Sequence, residues 1–167
     1  FDFANQGMLY LPNHLPEPTR DGISFEALEE LGELIDAAGG RTLALFSSWR
    51  GVEAADAHLR KVLAELPIRI ITQRKGDAVA PLIERFAEDE TGGSGFMQVS
   101  LPRAALLLAQ GTGRLIRSTE DRGVVAILDS RIVNKRYGSV LLNSMPPFWR
   151  TSDGKVINES LRRLAGN

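Results

Sequence analysis

The sequence predicts an α/β fold with a mainly parallel sheet, on three observations. Arg41-Thr-Leu-Ala-Leu-Phe46 is an apolar run of strand length, followed by the loop Ser47-Ser-Trp-Arg-Gly51 and an amphipathic helix over Val52–Leu66. The same order repeats in Ile68-Arg-Ile-Ile-Thr72, the loop Gln73-Arg-Lys-Gly76 and a helix from Asp77 to Glu88. A further, wholly apolar strand is expected at Val124–Leu128. Strand–loop–helix units in series require parallel strands joined by right-handed crossovers.

A chain of 167 residues suits one domain with a sizeable core. Its net charge of −1 gives no global pull toward nucleic acid, so any such binding must come from local patches. It has no cysteine, which excludes disulfides, thiolate metal sites and a thiolate-held iron–sulfur cluster in this segment and agrees with a cytoplasmic protein. No apolar run reaches the ~18 residues of a membrane span, so no membrane partner is expected. The chain begins at Phe1 rather than methionine and is expected to be a piece of a longer polypeptide.

The elements follow in order. Residues 1–22 read as an extended lead-in, because prolines at 12, 16 and 18 oppose a helix. His14 among them reads as a surface residue. Ser24 is a suitable N-cap for a helix through Ala38, with acidic residues in its early turns and Phe25, Leu28, Leu31, Leu34 and Ile35 on one face. Gly39-Gly40 stops it. His58 sits in a helix without a partner at metal spacing and reads as structural. After Glu88 an acidic helix end runs into the glycine tract at 91–95 and then into Phe96-Met-Gln-Val. The tract fits a natural loop, a linker in place of a deleted piece, or a seam where residues of the parent are left out. A helix opens at Ser100 or Pro102 and closes near Arg117. Beyond the Val124 strand, a short helix at Tyr137–Leu142, a break at Met145–Trp149 and a last helix at Val156–Leu164 complete the chain.

Ligands of parallel sheets meet the loops at the carboxyl ends of the strands. Those loops offer Ser47, Ser48, Trp49, Gln73, Arg74 and Lys75 beside helix N-termini, where phosphate is favoured. The serines also serve as plain helix caps, the cations as solvated turn residues, and the tryptophan as sheet-edge packing rather than a platform for a base. The stretch Gln110-Gly-Thr-Gly-Arg-Leu-Ile-Arg117 carries the most information. At ~100° per residue, Arg103, Gln110, Arg114 and Arg117 share one stripe, while Leu115 and Ile116 point elsewhere. Gly111 and Gly113 each cost a helix about 1 kcal/mol relative to alanine, but let a backbone or a phosphate come close. Two forked guanidiniums and an amide on one stripe suit a polyphosphate. A solvated basic helix end fits the same residues.

Gln110-Gly-Thr-Gly-Arg-Leu-Ile-Arg117, followed by Asp121-Arg-Gly and the Val124–Asp129 strand, resembles motif VI of DinG/XPD-type superfamily 2 DNA helicases, most closely bacterial DinG-like proteins. Leu43–Trp49 resembles motif IV. Phe1-Asp-Phe with Leu9-Tyr-Leu-Pro12, and Pro146-Pro-Phe-Trp149, resemble the two ends of the family's second motor domain. The resemblance implies a single RecA-like helicase C-terminal domain over residues 1–167, belonging to an ATP-dependent 5′–3′ DNA helicase. It implies ATP and Mg²⁺ held mainly by domain 1 of the same polypeptide. Arg114 and Arg117 would reach the γ-phosphate, one as an arginine finger, with Gln110 positioning the attack and Gly113 in the ATP contact. Ser47, Ser48, Trp49, Gln73 and Arg74 would face single-stranded DNA. Two features depart from the family. There is no Gly-x-x-x-x-Gly-Lys-Ser/Thr loop, so the fragment alone is expected to be inactive. The motif V region with its strand is expected to be missing at Gly92–Gly95. A non-catalytic nucleic-acid or partner-binding module of the same fold, and an unrelated α/β nucleotide-binding enzyme, are the alternatives.

Overall fold

The computed structural model describes residues 1–20, 22–46, 48–77, 95–100, 112 and 115–166. The chain divides into two compact units, Phe1–Pro18 with Ala105–Asn167, and Thr19–Ala104.

In the first unit the lead-in is more structured than its prolines imply. Asp2 carbonyl oxygen accepts the N–H groups of Asn5 and Gln6, and a helical turn α1 forms over Phe3–Gln6. Strand β1, Gly7–Tyr10, follows at once. The prolines oppose helix only from position 12 onward, so the stretch before them is free to order. Leu9 and Tyr10 are buried, as in a strand covered on both faces. β1 is the middle strand of a parallel three-stranded sheet. On one side lies β5, Gly123–Ala126, with Leu9 opposite Val125. On the other lies β6, Trp149–Thr151, with Leu9 opposite Arg150. The expected break before the last helix therefore ends in a short strand. Between β5 and β6 run the short helices α4, Arg131–Asn134, and α5, Arg136–Asn143. Helix α6, Gly154–Ala165, is capped by the Asp153 carboxylate on Lys155 N–H and packs on β1 and β5. The core joins Leu9, Ile116, Ile132, Leu142, Met145 and Phe148.

The second unit keeps the elements in the expected order. Ser24 Oγ accepts Ala27 N–H and caps α2, Phe25–Ala37. Gly39 and Gly40 both take positive φ, the left-handed conformation that closes a helix without the penalty of a side chain. Leu28, Leu31, Leu34 and Ile35 are buried, but Phe25 is exposed and meets the His58 ring edge-on. As the first helical residue, Phe25 lies beyond the turn that carries the packed face. Strand β2 is Thr42–Leu45 and β3 is Ile68–Thr72. Helix α3, Trp49–Val62, begins three residues before the expected Val52 because Ser48 caps it. Strand β4, Gly95–Ser100, lies between β2 and β3 and is parallel to both, with Ala44 and Thr72 both opposite Val99. Strand β4 begins at Gly95, the last residue of the glycine tract, and is this sheet's middle strand. The helices expected at 77–88 and 102–117 fall mainly outside the described residues.

Candidate functional site

Of the motif VI stretch, Gln110, Gly113 and Arg114 lie outside the described residues. Its end is visible. Ile116 is 2% exposed and sits in the core, Leu115 packs against that core, and Arg117 is exposed. The helix expected to close near Arg117 has its last described helical residue at Leu115, so Ile116 and Arg117 lie just beyond it.

The backbone after Arg117 is held from two directions. The Asp121 carboxylate accepts the N–H of Arg117 at 2.6 Å and that of Ser118 at 2.8 Å. These two N–H groups, foremost that of Arg117, hold the Asp121 carboxyl below its ordinary value of 3.8, and the Arg117 charge adds to the effect. From the lead-in, Gln6 Nε2 donates to the carbonyl oxygens of Ser118 at 2.8 Å and of Asp121 at 3.3 Å. Gln6 Oε1 accepts the Asp2 N–H at 3.0 Å. Next comes Gly123, opposite Gly7 in the sheet. A Cβ there would stand 2.5 Å from Leu115 carbons, so glycine is what lets the motif stretch lie against β5. At the carboxyl end of β5, the Arg131 guanidinium embraces Asp129, with Nε 2.9 Å from Oδ1 and Nη2 2.5 Å from Oδ2. Gln6 carries no signal in the sequence, and Asp121 belongs to the motif pattern without an assigned role.

In the second unit, β2 and β3 flank β4 and run parallel to it, so their following loops leave one sheet edge. Two strand spacings put them ~10 Å apart. Ser48 is exposed and accepts Gly51 N–H at 3.1 Å as the α3 cap, while Ser47 lies outside the described residues. Trp49 is partly exposed on the first turn, and Arg50 Nη1 donates to Arg20 carbonyl oxygen at 2.9 Å. Gln73 is only 4% exposed and its Nε2 donates to Asp77 carbonyl oxygen at 3.0 Å. Arg74 and Lys75 are exposed, and the Asp77 carboxylate accepts Arg74 N–H at 2.8 Å. The structure thus brings Ser48, Trp49, Arg74 and Lys75 to one edge as outward groups. Gln73 instead shapes the loop that carries the two cations. Such an edge, with helix N–H groups beside guanidinium and ammonium, suits phosphate oxygens.

The family described as "Helicase C-terminal domain" matches residues 88–148. The "ATP-dependent helicase DinG" of Mycobacterium tuberculosis is 39% identical over 214 residues, covering 99% of this chain and 32% of that protein. The chain is a DinG-type helicase C-terminal domain. Escherichia coli "ATP-dependent DNA helicase YoaA" is 37% identical over 138 residues, covering 81% of the DinG-type chain and 20% of that protein. A variant of S. cerevisiae Dbp5 bound to RNA and ADP BeF3 superposes with a TM-score of 0.54 at 12% identity, over 99% of this chain and 46% of that one. That likeness concerns the fold, which is RecA-like α/β. The DinG-type chain spans a third or less of the length of these curated relatives. Its alignment with the mycobacterial protein runs to 214 positions against the 167 residues present, so that relative carries several tens of residues with no counterpart here.

Proposed function

We propose that this chain is the second motor domain of an ATP-dependent 5′–3′ DNA helicase, supplying Arg114 and Arg117 to ATP bound mainly by domain 1 of the same polypeptide. The observation that carries the reading is Arg117. It is exposed at the end of the motif stretch, while its neighbour Ile116 is anchored in the core. An exposed arginine on an anchored backbone fits a phosphate approached from a neighbouring lobe. Mg²⁺–ATP supplies the electrophilic phosphoryl group and neutralises part of its charge. This chain adds a positive group aimed at the charge that develops as the bond to the leaving phosphate breaks. Gln110 orients the attacking water, and Gly113 lets the nucleotide approach the backbone. In the second unit, Ser47, Ser48, Trp49 and Arg74 meet the single-stranded DNA backbone and bases, Gln73 keeps their loop in shape, and Lys75 adds charge.

The test uses a polypeptide that carries both motor domains. Arg117→Ala is expected to lower kcat for ATP by roughly a thousandfold while single-strand affinity stays unchanged. Undiminished hydrolysis in Arg114→Ala and Arg117→Ala alike overturns the finger assignment and favours a non-catalytic nucleic-acid-binding module.

A further inference from the structure

Gln6 is a polar residue 5% exposed at the start of the chain, where an apolar side chain would pack with less cost. Its amide is fully employed: Oε1 accepts from Asp2 N–H, and Nε2 donates to Ser118 and Asp121 carbonyl oxygens. The loop it grips is the one whose carboxylate, Asp121, accepts the N–H of Arg117 itself. Four residues of loop are therefore clamped from the lead-in on one side and from within on the other. Hydrogen bonds to a carboxylate are about twice as strong as neutral ones, so the Arg117 backbone is held by the stronger kind.

We propose that Gln6 and Asp121 are positioning residues for Arg117, fixing the backbone from which its guanidinium projects and linking that backbone to the segment leading into the domain. The proposal rests on the finger reading of Arg117. A finger acts only when its charge sits where charge develops, and a misplacement of about 1 Å can cost a hundredfold in rate. Core packing of Ile116 anchors the end of the motif stretch, and without further bonds the turn after it would be free to swing. The two clamps remove that freedom. They also tie the lead-in to the backbone that carries the arginine, beside the Gly7–Gly123 pairing of the sheet.

The experiment uses the polypeptide carrying both motor domains, with Gln6→Met, Asp121→Asn, Arg117→Ala and the double variant Asp121→Asn/Arg117→Ala. Methionine keeps the length of Gln6 and removes both donors. Asparagine keeps the shape of Asp121 and removes its charge. We expect kcat to fall by roughly tenfold to a hundredfold in the two positioning variants, with KM for ATP and single-strand affinity unchanged. Amide hydrogen exchange at Arg117 and Ser118 should quicken in both. Adding Asp121→Asn to Arg117→Ala should cost nothing further, because the two act as one unit. Full kcat in Asp121→Asn overturns the inference while leaving the finger intact. The same loss repeated in the Arg117→Ala background also overturns it, since Asp121 would then act independently of the arginine. If Gln6→Met unfolds the domain, Asp121→Asn on the exposed side of the loop decides. Normal hydrolysis in Arg117→Ala is a separate outcome: it removes the finger reading and this inference with it.

Discussion

Asp129 and Asp121 show how single side chains are tuned at the carboxyl and amino ends of β5. Burial pushes the Asp129 carboxyl up, but the Arg131 guanidinium hydrogen bonds, the Arg131 N–H and the Arg131 charge together outweigh it, and the group titrates below 3.8. A carboxyl depressed in the folded state stabilises the fold above its unfolded value, and that contribution is lost as pH falls through the lower, folded value. The pair is more than a third exposed, which limits it to no more than about 1 kcal/mol. Asp129→Asn is therefore expected to cost at most that amount at neutral pH. It should also leave a shallower loss of stability below 3.8 than the parent shows, as read from urea unfolding across the acid range. An unchanged acid limb would mean that the pair contributes nothing. At this scale, what could be read ahead was local: a packed Ile116 beside an exposed Arg117 was expected from helical spacing, although both lie just past the last helical residue, Leu115. The grip of Gln6 on Ser118 could not be read, because its partners stand 112 and 115 positions away and no spacing rule reaches so far.

Among the elements, α3 shows a helix cap and a candidate DNA contact occupying the same atom. Ser48 Oγ accepts Gly51 N–H, so removing it disturbs the helix whether or not DNA is bound there. Ser48→Ala should cost about 1 kcal/mol of stability through the lost cap. Ser48→Asp keeps a good cap but places a negative charge where a phosphate would lie. It should unfold like the parent in thermal melts and bind single-stranded DNA more weakly in fluorescence anisotropy. Equal affinity in Ser48→Asp and parent would reduce Ser48 to a cap. The elements whose signals are local were legible: Ser24 and Gly39-Gly40 bracket α2, and β3 starts and stops where its apolar run does. β1 was legible as extended but not as a middle strand, because four residues say nothing of which partners will cover them. For strand β4, Phe96-Met-Gln-Val marks the stretch, but the glycine tract before it says nothing of which partners it will take.

For the whole molecule, a net charge of −1 cannot gather DNA from a distance, yet Arg74 and Lys75 stand exposed on the loop after β3, with Arg50 exposed on the first turn of α3. Affinity carried by such contacts falls with salt, by about 0.7 in logarithmic slope for each single-strand phosphate neutralised. Replacing Arg74 and Lys75 together by alanine should flatten the slope by roughly 1.4 if both meet phosphates, as measured by anisotropy titrations over a series of salt concentrations. A slope that does not move would take these residues off the DNA path. The fold class and the family are visible from 167 residues because the Gln110–Arg117 stretch that resembles motif VI and the strand–helix order are both contiguous in sequence.

The two units differ in when their pieces become available. Every described strand of the Thr19–Ala104 unit has been synthesised once Ser100 has been added. Gly7–Tyr10, made before them, must wait for Gly123–Ala126 on one edge and Trp149–Thr151 on the other. A strand made before the whole Thr19–Ala104 sheet can thus be paired only after it, and until then its apolar residues are open to aggregation.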